Sequence, residues 1–272
     1  MVVERETYHP ELNFVKKELH QLIKPRNVVI FPGITFSFIF NKQRNFPEDV
    51  EKIAKCLDAP VVKGGENIPL CDNSPLIIAC NHPRLTDLVL GVVLISNTFD
   101  LLRKEKGLPG NIHWFITENI PTRGLVEKKR TILTLKGLNW ILPRLIRSYQ
   151  FIGIPSADRK NQALKRAGGL LTARRYLKED SPSRVIGIFP EGDAESGEEL
   201  QEFFQGVGQL VKLTKDDALR VLPVRIYRDK VKRLNVSFGE TIQPDYSRKA
   251  REITNQIREA ISQLDFTKNP IT

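Results

Sequence analysis

Cysteine is scarce in this chain, with three in 272 residues: Cys56, Cys71 and Cys80. They show no paired spacing of the kind a zinc site needs, and an odd number leaves one thiol unpaired in any disulfide scheme, so a reducing compartment is expected. The four histidines are too scattered along the chain to suggest a metal site, and no metal or cofactor is expected. Long apolar runs are missing too. A spanning helix needs roughly 20 apolar residues, and the longest candidate, Val28 to Phe40, is interrupted by Pro32 and Gly33. The start, Met1-Val-Val-Glu-Arg-Glu, lacks the basic opening and apolar core of a secretory signal. No helix-turn-helix, zinc-finger spacing or aromatic RNA-binding motif is apparent, so nucleic acid is not an expected partner. A cytoplasmic protein associated peripherally with a membrane is the resulting expectation.

Positive charge is what the chain has in excess. A formal net charge of +10 implies attraction to a polyanion such as an anionic membrane surface or an acidic carrier. Lys128 to Arg130, Arg174-Arg175 and Arg225 to Arg233 are the basic segments that would meet one, although each also reads as an ordinary solvated face. With 40% hydrophobic residues the chain has ample material for a core.

Along the chain, Leu12, Val15, Leu19 and Leu22 line one face of an amphipathic helix over Glu11 to Ile23, ended by Pro25. The apolar run Val28 to Phe40 follows, and reads equally as a buried arm or as a shallow membrane contact. Residues 1–60 are therefore taken as an N-terminal amphipathic and apolar segment and 61–272 as the catalytic domain. Pro47 to Leu57 reads as a short helix, and Asp58 to Ser74, with Gly64-Gly65 and its prolines, as a linker.

Beyond it, strands and helices alternate. Strands are expected at Leu76 to Cys80, Ile112 to Thr117, Phe151 to Ile154, Arg184 to Phe189, Leu219 to Tyr227 and Val231 to Phe238. Helices are expected at Leu85 to Asn97, Ile132 to Ile146 broken by Pro143, Asn161 to Lys178, Leu200 to Leu213 and Tyr246 to Leu264. The alternation defines an α/β class with a mostly parallel central sheet flanked by helices.

Two strand ends carry chemistry. The run Leu76 to Cys80 reads as a strand with both faces covered, and Asn81-His82-Pro83 breaks it. Four residues separate His82 from Asp87, which falls in the first turn of the next helix, where a carboxylate suits the dipole. The second end is Phe189-Pro190-Glu191-Gly192, closing another apolar strand. In open α/β sheets ligands gather at the carboxyl ends of strands. A neutral imidazole with a reference pKa of about 6.5 suits removal of a hydroxyl proton, and a carboxylate beside it can orient the ring and stabilise the imidazolium.

These residues resemble the motifs of the glycerolipid acyltransferase family, typified by the 1-acylglycerol-3-phosphate acyltransferases. The run Asn81 to Asp87 is similar to the family's His, four residues, Asp motif, and Phe189 to Gly192 matches Phe-Pro-Glu-Gly without change. Phe151 to Ile154 leading to Asp158-Arg159, Phe203 to Gly206, and Val221 to Val224 look like three further blocks, in order, within about residues 75 to 225. The resemblance implies acyl transfer from a thioester, acyl-CoA or acyl carrier protein, to a lysolipid hydroxyl. It makes His82 the general base, Asp87 its orienting partner, and Glu191, Gly192 and Arg159 parts of the acceptor site.

The chain departs from the family after Gly192, where Asp193-Ala194-Glu195 stands in place of Thr-Arg-Ser, and at Thr117-Glu118, where a lysine is common. Both changes disfavour a phosphate, so a non-phosphate lipid alcohol is the alternative acceptor. A thioester hydrolase using water with the same base, and a basic peripheral membrane-binding protein without activity, are the other readings.

Overall fold

Strand β2, Leu76–Cys80, is apolar at every position and buried at every position, which only a central strand with both faces covered can be. The computed structural model describes residues 37, 40, 42–55, 57, 60–70, 72–83, 85–118, 129–155, 163–178, 183–192, 200–229 and 233–264. The expected amphipathic helix over residues 11–23, nearly all of the apolar run over 28–40, and Arg159 lie outside these residues.

The described elements are α1 (Phe46–Ala54), β1 (Val61–Lys63), β2, α2 (Leu85–Lys104), β3 (His113–Thr117), α3 (Lys129–Tyr149), β4 (Ile152–Ile154), α4 (Ala163–Lys178), β5 (Val185–Ile188), α5 (Gly206–Thr214), β6 (Arg220–Arg228), β7 (Leu234–Phe238) and α6 (Ala250–Gln263). Together the strands form a seven-stranded sheet in the order β1-β7-β6-β2-β5-β3-β4. Every neighbouring pair is parallel except β6 and β7, which are antiparallel. The fold is therefore the expected α/β class with a mostly parallel sheet.

Alternation along the strands sends side chains to two cores. Leu76, Ile78 and Cys80 join Leu222, Val224 and Ile226 under α1 and α2. Ile77 and Ala79 join Ile186, Ile188 and Val221 under α4, α5 and α6. Helix α1, although it precedes residue 61, contributes Phe46 and Val50 to the first of these cores. At the centre, Gly187 lies under Trp114: a Cβ there would come within 2.2 Å of the indole, so the aromatic ring reaches the backbone only because the side chain is absent.

Several elements differ from expectation for local reasons. The expected linker over 58–74 contains β1, an edge strand of three half-exposed or exposed residues paired in parallel with β7, too short for a periodic signal. Helix α3 runs through Pro143 without a break. Proline lacks an N–H to donate to the Asn139 carbonyl one turn back, and beside it Arg144 donates to the Trp140 carbonyl at 2.8 Å while its guanidinium lies 3.8 Å from the centre of that indole. The helix expected from Leu200 begins only at Gly206, and residues 200–204 have no regular secondary structure.

Helix α2 continues past Asn97 to Lys104 because Phe99 is fully buried and Arg103 anchors its last turn. The Arg103 guanidinium is buried and donates to the carbonyls of Pro109 (2.9 Å) and Pro69 (3.0 Å) and to Asn73 Oδ1 (3.2 Å). Burial holds its pKa below the ordinary arginine value, with Asp72 opposing the shift.

Replacing Arg103 with leucine removes the donors from three partly buried acceptors. Each orphaned group costs about 1–3 kcal/mol, so Arg103→Leu is expected to lower the urea midpoint substantially with an unchanged slope. An unchanged midpoint in equilibrium unfolding would contradict this anchoring role.

Candidate active site

The two strand ends singled out in the sequence are neighbours in space and level with each other. In the parallel pairing of β2 with β5, Ala79 lies opposite Ile188. Three residues further along each chain, His82 faces Glu191, and the His82 backbone N–H donates to Glu191 Oε1 at 2.8 Å. The second carboxylate oxygen, Oε2, accepts the backbone N–H of Gln201 at 3.1 Å. Glu191 is buried, 4% exposed, so its charge is met by backbone dipoles rather than by water.

The other side of the turn is fixed by β6. The Asn81 side chain donates to the Ile226 carbonyl at 2.9 Å and accepts the Ile226 N–H at 2.7 Å. It behaves as one more rung of the β2–β6 ladder, whose last backbone pair is Cys80 with Val224. His82 thus leaves the sheet from a backbone held on both flanks.

The imidazole of His82 is half-buried. It meets Phe189 in an edge-to-face arrangement, with centroids 5.6 Å apart, and Phe189 in turn stacks on Trp114 at 5.2 Å. Trp114 is anchored by its indole N–H on Ser96 Oγ at 3.0 Å. His82 Nδ1 lies 3.1 Å from the Pro83 carbonyl. A carbonyl only accepts, so this contact is a hydrogen bond when Nδ1 carries the proton, and Nε2 then holds the lone pair.

Asp87 sits in the first turn of α2 and is buried. Its Oδ1 receives two bonds from Arg228, from Nε at 2.9 Å and Nη2 at 2.7 Å. Arg228 ends β6. Its role was not legible in the sequence, where it belongs to a basic stretch that reads as an ordinary solvated face before it reads as one meeting an acidic partner. Within that stretch Arg225 is buried, Arg228 is turned onto Asp87, and Arg233 is exposed and ion-paired with Asp229. The one available signal was an arginine closing a buried strand, where a cation needs a partner.

Gly192 follows Glu191 with φ +69°, in the left-handed region, and a Cβ there would come within 2.8 Å of the Phe204 ring. Phe204 is itself tied to this turn, its N–H donating to the Pro190 carbonyl at 2.8 Å. Both backbone conformation and contact therefore require glycine.

On the same edge of the sheet, at the ends of β3 and β4, a cavity of about 380 Å³ is lined by Glu118, Phe151, Gly153, Pro155, Lys165 and Gly169, among others. Cys80, next to the site in sequence, is fully buried, and burial pushes its thiol well above the usual range, so it supplies no nucleophile. Among the described residues no cluster of histidine, cysteine and carboxylate is placed to hold a metal ion.

The fold and its site define a three-layer α/β protein with an imidazole and two carboxylates at the carboxyl edge of its sheet. No protein-family model matches the chain, and no curated protein matches its sequence. Among solved structures, the 1-acyl-sn-glycerophosphate (LPA) acyltransferase PlsC from Thermotoga maritima aligns with 93% of this chain and 98% of that one, at a TM-score of 0.48 and 16% identity.

Glu191→Gln keeps one acceptor and turns an amide group toward a backbone N–H. One buried bond is lost, at about 1–3 kcal/mol, and the His82 turn is expected to loosen. Thermal unfolding should report the loss of stability. A variant as stable as the wild type would show that the two amides do not depend on this carboxylate.

Proposed function

We propose that this chain is an acyltransferase that moves a fatty acyl group from a thioester, acyl-CoA or acyl carrier protein, to the hydroxyl of a lysolipid such as 1-acylglycerol-3-phosphate. The observation that carries the reading is the level pairing of the His82 turn with the Glu191 turn through the 2.8 Å amide-to-carboxylate bond. It makes one site of two motifs that lie more than a hundred residues apart.

In this mechanism His82 Nε2 accepts the proton of the acceptor hydroxyl as its oxygen attacks the thioester carbonyl. The C–O bond forms, the tetrahedral centre collapses, and the C–S bond breaks. The departing thiolate takes the proton from the imidazolium, and free thiol leaves. Asp87 supplies the negative charge that stabilises the imidazolium while it lasts. A base of this kind contributes about 10² to 10⁴ in rate, and positioning of two bound substrates supplies much of the rest.

Transfer is direct, through a ternary complex: the acceptor's own hydroxyl is the nucleophile, and Cys80, beside His82 in sequence, is fully buried. Glu191 serves the acceptor side by fixing the loop, and Gly192 by keeping that loop in a conformation a side chain would strain. Arg159 is assigned to an acceptor phosphate on the motif resemblance, and the apolar and amphipathic N-terminal residues to a peripheral contact with anionic lipid.

Purified protein is expected to release thiol from a long-chain acyl thioester only when a lysolipid or lipid alcohol is added, and to yield the acylated lipid by mass spectrometry. His82→Ala should lower turnover by about 10² or more while leaving the circular dichroism unchanged. Thiol release without an acceptor would make the protein a hydrolase, and full transfer by His82→Ala would remove the assigned base.

A further inference from the structure

Strand β6 touches the reacting region twice. At Ile226 its backbone closes on the Asn81 side chain, one residue before the imidazole. Two residues later, on the same face of the strand, the Arg228 guanidinium closes on Asp87. Ile226 also packs its side chain where Gly91 brings α2 close, since a Cβ at Gly91 would come within 2.5 Å of Ile226 Cδ1. A single strand end therefore sets where the His82 turn sits and where the first turn of α2 presents its carboxylate.

The pairing has a particular form. Both Arg228 donors converge on one carboxylate oxygen, Oδ1, which fixes the rotamer of Asp87 and leaves Oδ2 outside the clamp. Both side chains are largely buried, at 17% and 9% exposure for Arg228 and Asp87. A cation so placed is dearly desolvated and remains only where its partner repays it. We propose that Arg228 is a positioning residue for the transfer reaction, acting through Asp87: it fixes the rotamer of the carboxylate to which the mechanism above assigns stabilisation of the imidazolium. The proposal rests on the acyl-transfer reading above.

A structural ion pair between β6 and α2 would show the same distances, so the test must separate the two. Kinetics of acyl transfer are measured for Arg228→Gln, Arg228→Lys, Asp87→Asn and the double variant Arg228→Gln/Asp87→Asn, with thermal unfolding of each. Arg248→Gln, which removes an exposed ion pair with Asp245 just before α6, serves as the reference and should match the wild type.

A misplaced group in a preorganised site costs on the order of 10²-fold. Arg228→Gln is accordingly expected to lose about that much in kcat with the acceptor KM nearly unchanged, and Arg228→Lys to recover much of it. Because Arg228 acts through Asp87, the double variant should be no slower than Asp87→Asn alone. Turnover by Arg228→Gln close to that of the wild type, or losses that multiply in the double variant, would overturn the proposal. So would a loss of turnover that tracks loss of folded protein and is not recovered by lysine. His82→Ala run alongside distinguishes the levels of failure: if it is inactive while Arg228→Gln is fully active, only the positioning role falls; if it is fully active, the base assignment falls and the role of Arg228 with it.

Discussion

A single buried carboxylate accepting two backbone N–H groups holds the site together. Glu191 bonds the amide of His82 on one loop and that of Gln201 on its own. Hydrogen bonds to an ionised acceptor inside a protein are among the stronger ones, and losing either leaves a buried amide or a buried charge uncompensated. The bonds form without strain because the parallel register of β2 and β5 already brings the two loops level. Sheet geometry is what sets the imidazole where it is.

The rest of the edge is arranged around that fixed turn. Asn81 extends the ladder to β6, Trp114 and Phe189 wall one side of the ring, and Arg228 closes on Asp87. Each of these depends on a residue far away in the chain, and each would be meaningless without the β6-β2-β5 order at the centre of the sheet. Glycine enters where the packing is tightest. Gly187 admits Trp114 to the backbone, and Gly192 turns the loop in a conformation that a side chain would strain.

How far this was legible in the sequence depends on range. The central strands declared themselves as short apolar runs, since a buried parallel strand shows no polar face, and the alternation with helices was enough for the fold class. His82 and Glu191 were visible because each stands just past the end of an apolar strand, and Asp87 because it falls in the first turn of the helix that follows. The edge strand Val61–Lys63 was not, being three residues among prolines and glycines with little burial. Nor was the continuity of the helix through Pro143, since a proline inside a periodic pattern reads as a break. Least legible were the polar long-range pairs. An arginine that anchors a helix end, Arg103, and one that grips Asp87 from 141 residues away look in sequence like any other surface cation. Composition invited a reading of basic patches, and packing turned some of those cations inward.

The central claim, that Glu191 pins the His82 turn, is tested most directly by amide hydrogen exchange. In the wild type the N–H groups of His82 and Gln201 are predicted to exchange slowly, and in Glu191→Ala both should lose protection together while the amides of the central strands keep theirs. Free exchange at His82 in the wild type, beside protected strands, would contradict the account.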